Sequence, residues 1–223
     1  MNVSARCAEV VKKNRLLAHP FYEAWTKGLL ERETLASYAE QYYAQVEAFP
    51  RFVSSVHSRC PEIEARKVLV ENLADEEIHG TDHPALWMQF AEGLGRTRDE
   101  VRKATRLPET RESVDAFYEL TSGDWREGLC ALYAYESQVP EVSTSKIEGL
   151  EKHYDVKDAR SLAFFRAHVK YDVEHSARVA SLIDESGIAP EKAEAATEKA
   201  CRALLRFLDG VAREHGVAAS CAH

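Results

Sequence analysis

The sequence predicts an all-α protein, and three observations predict it. No stretch sustains the two-residue alternation of a half-buried strand, no Asn-Gly or Asp-Gly turn joins two alternating runs, and most glycines and prolines fall between segments of helix length. Helices are expected over 3–17, a short piece 20–27, then 33–59, 62–79, 84–94, 97–105, 110–121, 125–138, 141–153, 157–186 and 190–214. The short piece ends at Gly28, a residue suited to the left-handed exit of a helix. The third contains Pro50, which removes one backbone bond and crowds the preceding turn, so a kink or a division is expected there. Pro61, Pro84 and Pro190 suit the first turns of the fourth, fifth and last helices, where a missing N–H costs nothing. Gly187 and Gly216 suit the exits of the last two.

A chain of 223 residues suits one core, and no linker, low-complexity run or repeat divides it. One domain over 1–216 is expected, of compact helical-bundle form, with 217–223 a frayed tail. Formal charge is −8 and no Lys/Arg run exceeds two residues, which argues against nucleic acid as a partner. No run of 18 apolar residues suggests a membrane span, and the N-terminus lacks the apolar core of a signal peptide, so a cytoplasmic protein is expected. Cys7, Cys60, Cys130, Cys201 and Cys221 are scattered and never form a CxxC pair. That fits reduced thiols better than a disulfide frame or a zinc site.

The stretch HVKYDVEH, residues 168 to 175, carries the strongest functional signal. His168, Asp172 and His175 stand at i, i+4 and i+7, within a sector of about 60° on a helix. On the wheel of residues 161–183, Phe164, Phe165, Val179, Leu182 and Ile183 surround that sector, while Arg166 and Glu174 lie opposite. The three polar residues therefore sit at the centre of a buried face. Unpaired polar groups there cost several kcal/mol, roughly, and isolated charges far more, so partners are required. A metal ion supplies one answer, because neutral imidazoles and a carboxylate on successive turns can converge. A buried Asp–His hydrogen bond with the second histidine at a wet edge supplies another.

Further buried acids follow the same pattern. Glu136, in ALYAYESQVP, falls among Leu129, Leu132, Tyr133 and Val139, and Glu76 shares a face with Ala65, Leu69 and Leu73. His83 follows Glu76 by seven residues, an interval that returns to the same side of a helix, although Gly80 and Pro84 lie between or beside them. Singly, Glu76 reads as a salt-bridge partner and Glu136 as a carboxyl bonded to a tyrosine. Together the set offers three carboxylates and three imidazoles, a mixture suited to two iron or manganese ions. The absence of thiolates disfavours structural zinc.

These motifs resemble the heme-oxygenase-like dimetal oxidases: a Glu with a His seven residues on, Tyr-Glu-Ser-Gln before proline, and His-x-x-x-Asp-x-x-His. Within that superfamily, HPFYEAW, QYYAQVEAFPRFVSSVHSRC, LWMQFAEGLG and YESQVPEVSTSKIEGL look like the chlamydial protein associating with death domains and its bacterial relatives. The likeness spans most of residues 15–185. It implies the fold shared with thiaminase II and the pyrroloquinoline-quinone synthesis oxidase, and a ligand set of Glu76, His83, Glu136, His168, Asp172 and His175 for two divalent ions, Fe/Fe or Mn/Fe. It also implies an O2-dependent route to para-aminobenzoate, the aromatic precursor of folate. In that route the protein is its own substrate, with Tyr22 the sacrificed tyrosine, Lys146 the amino donor, and Tyr38 and Tyr135 further tyrosines near the metals. A reductant is implied as well, its donor unidentified.

Departures limit the transfer. The terminal AASCAH offers no basis for a death-domain interaction. Thiaminase-like members use a cysteine nucleophile, for which Cys130 is the nearest counterpart, but their sites lack the ligand set present here. The same ligands would also serve a dimetal oxidase of external small molecules, and a metal-free interaction protein would use the buried polar residues as a hydrogen-bond network. A homodimer is the common outcome for a helical domain of this size, with no patch in the sequence to mark its interface.

Overall fold

The computed structural model describes residues 2–217, the side chains of residues 170 and 171 excepted. Among these residues there are eleven α-helices, one 3-10 turn and no strand. In order they are α1 (Val3–Lys13), the 3-10 turn (Leu16–Ala18), α2 (Pro20–Lys27), α3 (Arg32–Arg59), α4 (Ile63–Glu77), α5 (His83–Gly93), α6 (Arg98–Lys103), α7 (Pro108–Ser122), α8 (Trp125–Glu136), α9 (Val139–His153), α10 (Ala163–Glu185) and α11 (Pro190–Glu214). The tail expected to fray lies outside the described residues apart from Val217, and Cys221 lies outside them too.

Several helices are shorter than expected, α4 and α6 by a few residues at their ends and α1 and α10 by more. α1 stops at Lys13, because the side-chain amide of Asn14 donates to the carbonyl of Val10 and diverts the chain into the 3-10 turn. The segment 157–162 precedes α10 instead of opening it; there Asp158 accepts from the amide of Ser161 at 2.8 Å. Pro50 does not divide its helix. α3 runs unbroken from Arg32 to Arg59, with Pro50 buried among the core residues that surround it. Pro61 lies just ahead of α4, whereas Pro84 and Pro190 do occupy first turns.

Caps set the entry of the elements that matter for the site. The ring of His19 accepts from the amide of Phe21 at 3.1 Å and fixes the start of α2, and Gly28 closes it with φ of 69°. Asp82 accepts from the amide of Ala85 at 2.8 Å and starts α5, while Asp124 caps α8. α3 packs against α4, α5, α7 and α8; α10 packs against α8, α9, α5 and α4; α11 covers α7, α8 and α1. The apolar core includes fully buried Trp25, Trp87, Tyr38, Phe52, Phe117 and Phe165. One polar island lies inside it, where α4, α5, α8 and α10 meet.

Candidate metal centre

Glu76, His83, Glu136, His168, Asp172 and His175 are all buried, at 1–8 % exposure. They form two adjoining groups. In the first, one ligand atom each from Glu76, His83 and His168 lies within 4.8 Å of the others. The helix breaks between Glu76 and His83, so the seven-residue interval is not what brings them together. α4 ends at Glu77, the chain turns through Gly80, and the cap of Asp82 returns His83 as the first residue of α5. Their Nδ1 and Oε2 atoms end 2.7 Å apart, yet out of line for a hydrogen bond.

The second group is Glu136, Asp172 and His175. His175 Nδ1 lies 3.9 Å from Glu136 Oε1 and 3.9 Å from Asp172 Oδ1. Among the described residues, Glu136 Oε2 and Asp172 Oδ2 have no hydrogen-bond partner. Such orphaned buried carboxyl oxygens call for a cation or a proton. Burial, against the bond from Asn72 and with the charge of Glu76, pushes Glu136 up to about 8. Burial and the charges of Glu136 and Glu76 hold Asp172 well above the usual carboxylate range. His168 is held well below its usual value by burial and by His83.

The histidine tautomers follow from the neighbours. His168 Nδ1 stands 2.8 Å from the carbonyl of Phe164, which can only accept, so Nδ1 carries the proton and Nε2 presents a lone pair. His175 Nε2 is 2.9 Å from Asp75 Oδ2, so a proton at Nε2 leaves the lone pair on Nδ1. Oxygen and neutral imidazole donors, unneutralised carboxyl atoms and the lack of thiolate together fit divalent iron or manganese.

Beside this island lies a cluster of phenols around one amine. Lys146 is 4 % exposed and donates to Tyr38 Oη at 2.6 Å; Tyr38 and Tyr22 hydroxyls are 3.1 Å apart. Its Nζ sits 5.2 Å from the ring centre of Tyr22 and 4.9 Å from that of Tyr38. No described carboxylate pairs with it, and burial lowers its pKa to about 7. Tyr135 receives a 2.8 Å bond from Tyr42, whose ring stacks on Tyr38 at 5.4 Å. Tyr22, Tyr42, Tyr135, Lys146, Phe164 and Phe207 border a cavity of about 20 Å³, room for about one water.

Three residues of this region escaped the sequence reading. Tyr42 follows Tyr38 by four residues and so shares its face, a readable signal. Asn72 and Asp75 precede Glu76 on α4, and one bonds Glu136 while the other bonds His175. Cys130 is fully buried with its thiol pushed up by Cys7 and by burial, which makes it a poor nucleophile.

Residues 36–207 match the family model described as iron-containing redox enzyme. The chain is 42% identical over 215 residues to a 4-aminobenzoate synthase of Nitrosomonas europaea, covering 91% of this chain and 87% of that protein. It is 35% identical to the 4-aminobenzoate synthase of Chlamydia muridarum, covering 100% of this chain and 94% of that protein. The fold superposes on a TenA homolog from Pseudomonas syringae with a TM-score of 0.81 at 18% identity, covering 95% of this chain and 91% of that one. No helix among the described residues is long and apolar enough to cross a membrane. On the match over residues 36–207 and the identity to those two synthases, the chain belongs to the heme-oxygenase-like family of iron-containing redox enzymes.

Proposed function

We propose that this protein is a dimetal oxygenase that forms 4-aminobenzoate from its own Tyr22 side chain, with Lys146 supplying the amine. The observation that carries the reading is Lys146: a buried lysine without a carboxylate partner, bonded to one phenol and within 5.2 Å of the ring centre of another. Lowered to about 7, a good part of it is a neutral amine at physiological pH, and a neutral amine is a nucleophile. The product matches the tyrosine side chain atom for atom in its carbon frame, ring plus one carbon, with the phenolic oxygen exchanged for nitrogen.

Glu76, His83 and His168 would hold one ion, and Glu136, Asp172 and His175 the other. Bound there, the metals would supply the capacity to reduce O2 and so to oxidise a phenol. The protein's own groups do the rest. Tyr38 holds Lys146 Nζ and the Tyr22 hydroxyl on one oxygen, which sets amine and ring side by side. Phe207, Phe164 and the neighbouring tyrosines keep bulk water out. A cavity of about 20 Å³ leaves no space for an external aromatic substrate, since small-molecule sites occupy about 300–1,000 Å³. That favours the internal substrate over the external one.

Expression with ring-labelled tyrosine and amine-labelled lysine tests this. Metal-loaded protein given O2 and reductant should release doubly labelled 4-aminobenzoate, at most one per chain, with no added substrate. Tyr22→Phe should abolish it, and Lys146→Arg should as well, because arginine keeps the charge without a free amine. Full yield from Tyr22→Phe, or a product lacking either label, would overturn the assignment.

A further inference from the structure

Two of the three proposed ligands of the second group, Glu136 and His175, are each held from behind by a side chain of α4. Asn72, 2 % exposed, donates from Nδ2 to Glu136 Oε1 at 2.6 Å. With that oxygen engaged, Oε2 is left without a hydrogen-bond partner among the described residues. One turn on, Asp75 Oδ2 accepts from His175 Nε2 at 2.9 Å, and its other oxygen accepts from His79 at 2.8 Å. A carboxylate cannot donate, so the imidazole must carry its proton at Nε2 and direct Nδ1 toward Glu136 and Asp172.

The first group has a different support. His168 is held by a backbone carbonyl within its own helix, and His83 by the cap of α5. The second group instead depends on two side chains at the floor of a surface cleft of about 230 Å³, bordered by Val68, Glu71, His79 and Arg178. We infer that Asn72 and Asp75 are positioning residues for the ion held by Glu136, Asp172 and His175, and that the site of Glu76, His83 and His168 does not depend on them. The inference rests on the six-ligand reading above. Orienting partners of this kind are worth about 10- to 100-fold in metal affinity.

Anaerobic titration of the full chain with Fe(II), followed by calorimetry and Mössbauer spectra, reads both ions without using activity. The wild-type chain should take two equivalents. Asp75→Ala should keep one equivalent at wild-type affinity and weaken the other about 10- to 100-fold, with one of the two Mössbauer signals altered. Asn72→Ala should act in the same direction, and His79→Ala, which removes only the exposed partner of Asp75, should change neither ion. Should Asp75→Ala fail to fold, Asp75→Asn carries the test, because it keeps the shape and an acceptor oxygen and should weaken one ion to a lesser degree. Two wild-type equivalents in Asp75→Ala, equal loss of both, or His79→Ala matching Asp75→Ala would overturn the inference. His175→Ala separates the two levels. If it keeps both ions, the ligand assignment falls and takes this inference with it; if it loses one while Asp75→Ala keeps both, this inference falls alone.

Discussion

Lys146 and Glu136 are ionisable groups whose burial reverses their ordinary charge states, and each gives a prediction at the scale of a residue. Lys146 falls from 10.5 to about 7 on folding. Between those values the unfolded chain binds a proton that the folded chain does not, so wild-type stability rises with pH across that window and this dependence vanishes below about 7. Lys146→Met, of similar length and without charge, should be more stable than wild type at pH 7 by a few kcal/mol, roughly, with the gap closing toward pH 10.5. Denaturant titrations of both chains at several pH values check this, and a constant gap would show that the lysine stays charged when folded. For Glu136, at about 8, the sign is opposite, and burial beside Glu136 and Glu76 raises Asp172 in the same direction. Glu136 is largely protonated in the metal-free protein at neutral pH, so metal uptake should release protons and affinity should climb as pH rises to 8. Calorimetry in buffers of different ionisation enthalpy counts the protons. Of these two residues, Glu136 was legible as a carboxylate on a buried helix face. Lys146 was not, since nothing in STSKIEGL separates a buried lysine from a solvated one; only the likeness to a known family singled it out.

At the scale of elements, the amine is positioned by the close approach of α2 and α9. A Cβ built on Gly149 would meet Trp25 Cδ1 at 2.6 Å and Nε1 at 2.9 Å. Trp25 Nε1 donates to the carbonyl of Lys146 at 3.3 Å, so moving the indole disturbs the turn that carries the amine. Gly149→Ala gains up to about 1 kcal/mol of helix propensity but forces an overpacked contact costing about 1–3 kcal/mol. Net destabilisation, with loss of product that exceeds the change in folded fraction, is the expected outcome of thermal melts paired with product assays. The helices themselves were readable from periodicity and breakers, and the largest errors in their bounds fall where a side chain intervenes: Asn14 ending α1, Asp158 delaying α10. The passage from Glu76 to His83 was read through the wrong cause. The spacing suggested one helical face, whereas a turn at Gly80 and a cap at Asp82 bring the two together across a break. Asn72 and Asp75 escaped notice because acids and amides on a charged helix look like solvated residues until a partner is seen opposite.

At the scale of the whole molecule, the polar island gathers buried acids and imidazoles inside an otherwise apolar core. Four helices, α4, α5, α8 and α10, each bring a buried acid or imidazole to it, and Glu136 Oε2 and Asp172 Oδ2 are left there without a hydrogen-bond partner among the described residues. On the proposed assignment, one ion would join α4, α5 and α10 and the other α8 and α10. Binding to the folded state alone stabilises by about 2.7 kcal/mol at one hundred times the dissociation constant, and for a chain of this size that corresponds to about 5–10 °C in Tm. Chelation should therefore lower Tm by about that amount, added Fe(II) or Mn(II) under anaerobic conditions should restore it, and His168→Ala should blunt the response by disabling the first group. Calorimetric scans of the same preparation with and without chelator measure the effect. An interaction protein that used these residues only as a hydrogen-bond network would show no dependence on the metal, so equal Tm values would remove the metal centre from the account and leave the buried carboxyls as proton-holding core residues.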